Sequence, residues 1–152
     1  MKAGELANET VATIGPQATL MEAADAMREN HVGDLVVVEQ QGNTKRPIGI
    51  ITDRDLVLAL SKSGPDGFVK KTVGDRMSQV LIMARREEPV EEVLGNMRDN
   101  GVRRIPVVDV DDNLVGILTF DDFVGYLGDH LLSLGELVQS ELSQEITGKS
   151  AR

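Results

Sequence analysis

The stretch Gly49-Ile50-Ile51-Thr52-Asp53-Arg54-Asp55-Leu56 decides the reading of this chain, because it returns as Gly116-Ile117-Leu118-Thr119-Phe120-Asp121-Asp122-Phe123. Both copies read Gly, two aliphatics, Thr, two variable positions, Asp, apolar. The aliphatic run fits a strand and the Thr-x-x-Asp element fits the first turn of a helix, so the chain is predicted to pass from strand to helix at Thr52 and again at Thr119. A helix start offers unpaired N–H groups and the positive end of a macrodipole, which suits a phosphate. An acid in that first turn can accept from sugar hydroxyls. The same residues also make a capping box, in which hydroxyl and acid satisfy backbone donors and do nothing more. On these residues alone both readings stand.

Working outward, the repetition extends well beyond the two octets. Leu20, Ala23, Ala24 and Met27 follow the i, i+3, i+4, i+7 spacing of an amphipathic helix, with Thr19 and Glu22 as a capping box at its start. A shift of 70 residues gives Val90, Val93, Leu94 and Met97, with Pro89 suited to the first helical turn. Met27 and Met97 fall at core positions of these helices. Each helix is followed by an apolar run, Leu35 to Val38 and Ile105 to Val108, and then by a polar turn, Gln40 to Arg46 in the first copy and the shorter Val110 to Asn113 in the second. Ahead of each helix Gly4-Glu5 matches Gly74-Asp75, and Val11-Ala12-Thr13-Ile14 matches Leu81-Ile82-Met83-Ala84. Each copy reads strand, helix, strand, strand, helix. Ser61 to Gly67, dense in turn formers, ends the helix begun at Thr52 and links the copies. The fold class is α+β, with the two copies packed sheet against sheet about a pseudo-twofold axis.

Composition narrows the function. With 152 residues and 16.5 kDa the chain can bury roughly 70% of its unfolded surface. Its 3% aromatic content and lack of Trp leave the core to aliphatics and Met and disfavour base- or sugar-stacking surfaces. A formal charge of −9 argues against nucleic acid as a partner. There is no Cys, hence no disulfide, thiolate metal site or Cys nucleophile, and His31 and His130 stand outside metal-ligand spacing. No metal site, catalytic residue or required cofactor is assigned, and an enzyme is not expected. The N-terminal residues lack an apolar signal region and no stretch is long enough to span a bilayer, so a cytoplasmic protein without membrane insertion is expected.

The tandem order of helix, Val-rich strand, turn and Gly-Ile-Ile-Thr-Asp-Arg-Asp-Leu, together with Gly101-Val102-Arg103-Arg104-Ile105-Pro106-Val107-Val108-Asp109, resembles the cystathionine-β-synthase (CBS) domain pair, or Bateman module. The resemblance covers nearly everything from Ala3 to about Tyr126. It implies two pseudo-symmetric β-α-β-β-α units, with residues 1–62 as the first repeat, 63–72 as a linker and 73–126 as the second repeat. It also implies a homodimer, and an adenine nucleotide (AMP, ADP or ATP) or S-adenosylmethionine held between repeats as a regulatory ligand whose signal passes to a separate effector protein. Carried over residue by residue, it gives Thr52 and Thr119 a phosphate-contacting hydroxyl, Asp55 and Asp122 the ribose hydroxyls, and the Thr13-Ile14 and Met83-Ala84 segments the adenine border. It also places Arg103 and Arg104 within reach of phosphate. Arg54 follows the first Thr where Asp121 follows the second, and Arg103-Arg104 fall on Gly33-Asp34, so the two repeats are not expected to bind one ligand equally. The alternative is a ligand-free module that serves only for dimerisation or docking.

Beyond the repeats, residues 127–152 are expected to form a helical tail. Val124, Leu127, Leu131, Leu134 and Val138 keep the 3-4 spacing of a helix-packing seam. Gly125, Gly128 and Gly135 each weaken such a helix by roughly 1 kcal/mol, so further contacts must support it. Residues from Thr147 onward are expected to be disordered. The helix after Asp55 carries Leu56, Val57, Leu58, Ala59 and Leu60 in unbroken order, more apolar surface than one small sheet can cover. That surplus is the reason for expecting the helices after Thr52 and Thr119 to meet a twofold mate.

Overall fold

The computed structural model describes residues 1–79 and 82–149, which group into two compact units, Met1–Leu118 and Thr119–Arg152. The first unit holds helix α1 (Ala3–Leu6), strand β1 (Thr13–Ile14), helix α2 (Leu20–Asn30), strands β2 (Asp34–Gln41) and β3 (Thr44–Thr52) and helix α3 (Asp53–Phe68). A 3-10 turn at Val73–Asp75 leads to strand β4 (Ala84–Arg85), helix α4 (Val90–Asn100) and strands β5 (Arg104–Val108) and β6 (Leu114–Thr119). The strands form two three-stranded sheets, β1-β2-β3 and β4-β5-β6, as the α+β reading of two packed repeats requires.

The helices form where their patterns put them. Thr19 caps α2: its hydroxyl accepts from the Glu22 N–H at 3.1 Å while Glu22 Oε2 accepts from the Thr19 N–H at 2.7 Å. Leu20, Ala23 and Met27 are buried on α2, and Val90, Val93 and Met97 on α4. Pro89 stands at the N-cap itself, one position earlier than expected, where its missing N–H costs nothing. Both helices end on a left-handed residue at the matched position, His31 with φ 54° and Gly101 with φ 64°.

In the first sheet β1 runs parallel to β2 and β2 antiparallel to β3, with Ile14 beside Val37; in the second, Ala84 stands beside Val107 at the same register 70 residues on. Two of the expected turns take a different form. The polar stretch Gln40 to Arg46 is mostly ladder rather than turn: Gln41 pairs with Thr44, and Gly42 takes the positive φ of 61° that the tight connection needs. Polar side chains hid this pairing because an exposed antiparallel ladder is held by its backbone and requires no apolar alternation. Ser61 to Gly67 does break the helix, at Gly64 with φ 63° and ψ 175°, but a further turn begins at Pro65 and carries the buried Phe68.

The lead-in to each repeat crosses to the other repeat. Lys2 bridges to Pro89 and Asn8 to Ile117, while Thr72 bridges to Thr19 and Ser78 to Ile50. The hydrogen bonds repeat the exchange: Ala3 and Gly4 donate to Glu88 and Arg86 at 2.8 and 2.9 Å, and Val73 and Gly74 donate to Ala18 and Pro16 at 2.8 Å. Each crossing has its twin at the equivalent place in the other repeat, so the pseudo-twofold axis is written into the backbone bonding. Val73 thereby joins the first repeat's core of Leu20, Ala23, Met27, Leu35, Val37, Ile51, Leu56, Ala59 and Phe68.

Acids that accept backbone hydrogen bonds make the fold sensitive to low pH. Backbone N–H groups of Thr19, Thr72 and Asn113 hold Glu22, Asp75 and Asp109 respectively below the usual carboxylate range. A carboxyl lowered in the folded state contributes stability that is fully present above its unfolded pKa and is lost as pH falls through its folded value. The melting temperature is therefore expected to stay level from about pH 7 to pH 5 and to drop below about pH 4. Melting curves that are unchanged down to about pH 3 contradict this.

The second unit is built on helix α5 (Phe120–Lys149), which runs unbroken through Gly125, Gly128 and Gly135. It continues beyond Thr147, where order was expected to end, and residues 150–152 lie outside the described part. Its apolar seam is exposed at Val124, Leu127, Leu131, Leu134 and Val138. No helix among the described residues is long and apolar enough to cross a membrane.

Candidate functional site

Thr52 ends β3 in extended backbone and caps α3. Its hydroxyl donates to Asp55 Oδ2 at 2.8 Å and accepts from the Asp55 N–H at 3.2 Å, while its own N–H donates to the same carboxylate oxygen at 2.9 Å. The repeat reproduces this box: the Thr119 N–H and hydroxyl donate to Asp122 Oδ2 at 2.7 and 2.6 Å, and the Asp122 N–H donates to the Thr119 hydroxyl at 3.3 Å. The capping reading is thus realised in both copies. It leaves the other oxygen of each carboxylate for further partners.

Beside the first box lies a cleft of about 200 Å³ lined by Ile50, Thr52, Asp55, Ser78, Ile82, Val102, Arg103 and Arg104. Of the residues singled out from sequence, the cleft gathers Thr52, Asp55, Arg103 and Arg104. Thr52 and Asp55 come from the first repeat, and Arg103 and Arg104 from the start of β5. The exchange of lead-in segments brings Ser78 and Ile82 to the rim; they are the sequence equivalents of Asn8 and Ala12, and the segment around Thr13 and Ile14 in β1 does not line this cleft. Arg54 is exposed in the first turn of α3, likewise outside the lining. Ile82 stands beside Met83-Ala84, the segment expected at the adenine border, while Ile50, Ser78 and Val102 were not singled out from sequence. Their only signal was their place in the repeat, since apolar and hydroxyl side chains carry no chemical signature of their own.

The electrostatics centre on Arg104, which forms an ion pair with Asp34. Position 34 is the repeat equivalent of position 104, so the axis sets a cation against an anion at one structural address. Asp34 in turn stands opposite Thr52 in the β2–β3 ladder. Cap and ion pair thus adjoin at the cleft, whose lining also includes the apolar Ile50, Ile82 and Val102. Among the described residues, no group of three or more His, Asp or Glu side chains is placed to hold a metal ion.

A family model for the CBS domain matches the chain twice, over residues 3–62 and 73–129. The chain belongs to the CBS domain family. As a CBS pair it resembles the CBS domain pair of protein MJ0100, solved with 5′-methylthioadenosine and S-adenosyl-L-methionine, at 28% identity and a TM-score of 0.73 over 86% of this chain and 98% of that one. It also resembles the cytosolic domain of the Mg²⁺ channel MgtE, solved with ATP, at 26% identity and a TM-score of 0.70 over 82% of this chain and 48% of that one. Among curated relatives, the MK0525 protein of Methanopyrus kandleri is 39% identical over 123 residues, which are 80% of this chain and 60% of that protein's length.

Proposed function

We propose that this CBS pair is a regulatory module rather than an enzyme, which binds an adenosyl ligand (AMP, ADP, ATP or S-adenosylmethionine) and relays its presence to a separate effector protein in the cytoplasm. The observation that carries this reading is the cleft in which Thr52 and Asp55 of one repeat face Arg103 and Arg104 of the other. Asp55 keeps one carboxylate oxygen for ribose hydroxyls, the N-terminus of α3 and the two arginines favour an anion, and the apolar lining residues Ile50, Ile82 and Val102 suit a base. Thr119 and Asp122, closed into the same box, are the second pair of candidate contacts, with Arg54, Thr13 and Ile14 as further candidates from the family pattern. The adenosyl compounds bound by MJ0100 and MgtE support the ligand class.

One observation favours the rival, a ligand-free dimerisation or docking module: each Thr hydroxyl and one oxygen of each Asp carboxylate are already engaged in capping bonds. Assembly belongs to either reading. Val57, Leu58 and Leu60 of α3 are 65%, 46% and 45% exposed around the buried Leu56 and Ala59, an apolar surface suited to a twofold mate.

Thermal melting separates the two readings. A ligand at one hundred times its dissociation constant stabilises the fold by about 2.7 kcal/mol, or roughly 5 to 10 °C for a chain of this size. Asp55→Ala is expected to remove on the order of 1.5 to 3 kcal/mol of binding. Thr19→Ala, which cuts a cap outside the cleft lining, is expected to cost about 1 kcal/mol of stability and no binding. Melting curves unmoved by millimolar AMP, ADP, ATP and S-adenosylmethionine would return both boxes to capping.

A further inference from the structure

The geometry points to Asp34, which has no part in the reading above, as the residue that sets which adenosyl ligand the cleft takes. We infer that Asp34 is an internal anion held by Arg104, and that a phosphate-bearing ligand competes with it for that guanidinium. A neutral adenosyl compound cannot. The inference rests on the cleft binding an adenosyl ligand at all.

Arg104 lines the cleft and its Nη1 is engaged by an Asp34 carboxylate oxygen. Their side chains are only 34% and 17% exposed, so the pair is shielded enough that neither charge is released to bulk water without cost. A guanidinium cannot deprotonate, and it presents five N–H donors in a planar fork, of which one carboxylate engages a part. Phosphate matches the fork as well as carboxylate does and brings more charge, so it can share or take the donors that Asp34 uses. The Asp34 backbone lies opposite Thr52, which puts the competitor one strand away from the hydroxyl at the cleft's edge. A ligand with a neutral 5′ group leaves the ion pair closed and gains nothing from it. Removing the Asp34 charge should therefore strengthen phosphate binding alone.

The experiment is calorimetric titration of the full chain with AMP and with 5′-methylthioadenosine, which share adenosine and differ at the 5′ position. AMP is expected to bind at least about tenfold more tightly. Arg104→Gln is expected to bring the two within roughly threefold by weakening AMP alone. Asp34→Asn is expected to tighten AMP by about three- to tenfold and to leave 5′-methylthioadenosine unchanged. The unchanged second ligand certifies that each variant is folded. If the two ligands bind equally, or if Asp34→Asn fails to tighten AMP while 5′-methylthioadenosine still binds, this inference is overturned and the adenosyl-binding reading stands. If neither ligand binds the natural chain, both are overturned.

Discussion

Ile51→Ala is expected to destabilise the chain by about 2 to 5 kcal/mol and to lower its melting temperature by roughly 5 to 15 °C. Ile51 is fully buried and stands opposite Leu35 in the β2–β3 ladder, within the cluster that joins α2, α3 and the Val73 turn. Alanine there loses the transfer energy of three carbons and leaves a cavity. The walls of that cavity belong to strands fixed by a ladder and cannot collapse freely. Leu118, equally buried at the equivalent place in the second repeat, is expected to behave alike. A drop of less than about 1 kcal/mol in Ile51→Ala, measured by denaturant titration with an unchanged slope, would mean that this core is looser than its burial indicates.

Gly49→Val is expected to cost about 3 kcal/mol or more, although the site is a strand position where valine is ordinarily favoured. A Cβ at Gly49 would stand 2.7 Å from the Ser78 carbonyl oxygen and 2.8 Å from Met77 Sδ. The carbonyl belongs to the segment that crosses from the other repeat, and Ser78 donates to Ile50 at 2.9 Å, so this backbone cannot move aside without losing its bridge. Gly116 faces Ala7 and Asn8 in the same way, with contacts of 3.0 and 3.2 Å. Gly95→Ala is the contrast. Its Cβ would meet nothing within 4 Å in the middle of α4, so the change is expected to raise stability by roughly 0.5 to 1 kcal/mol. Opposite signs at Gly49 and Gly95 in parallel melts would establish close approach, rather than backbone conformation, as the reason for glycine in β3.

The two glycines also show what could be read from the sequence and what could not. Helices α2 and α4 were legible because burial imposes a 3.6-residue period on Leu20 to Met27 and Val90 to Met97, a signal contained within one turn of its cause. The starts of α3 and α5 were legible because Thr52 and Thr119 announce caps three residues ahead of Asp55 and Asp122. Gly49 and Gly116 stood in matching places, yet their reason is a neighbour some 30 residues later in one case and more than 100 earlier in the other. No local pattern encodes such a pairing. The same holds for the cleft. Thr52 and Asp55 announced themselves through a motif, and Arg103 and Arg104 through charge. Ser78 and Ile82 reach the rim only because their segment is exchanged, and Asp34 drew notice only as the residue standing where the other repeat has Arg104.

That exchange also governs the order in which the molecule can be made. A ribosome that has released residues 1–62 presents a sheet whose core lacks Val73 and whose β3 edge lacks Ser78. The first repeat can close only when Val73 and Ser78 have also emerged, at the start of the second. Lys2 and Asn8 find Pro89 and Ile117 only when those later residues have emerged in their turn. Closure of each repeat is therefore expected to lag behind its own synthesis, and the bridges of Lys2 and Asn8 are expected to form after the first repeat's sheet.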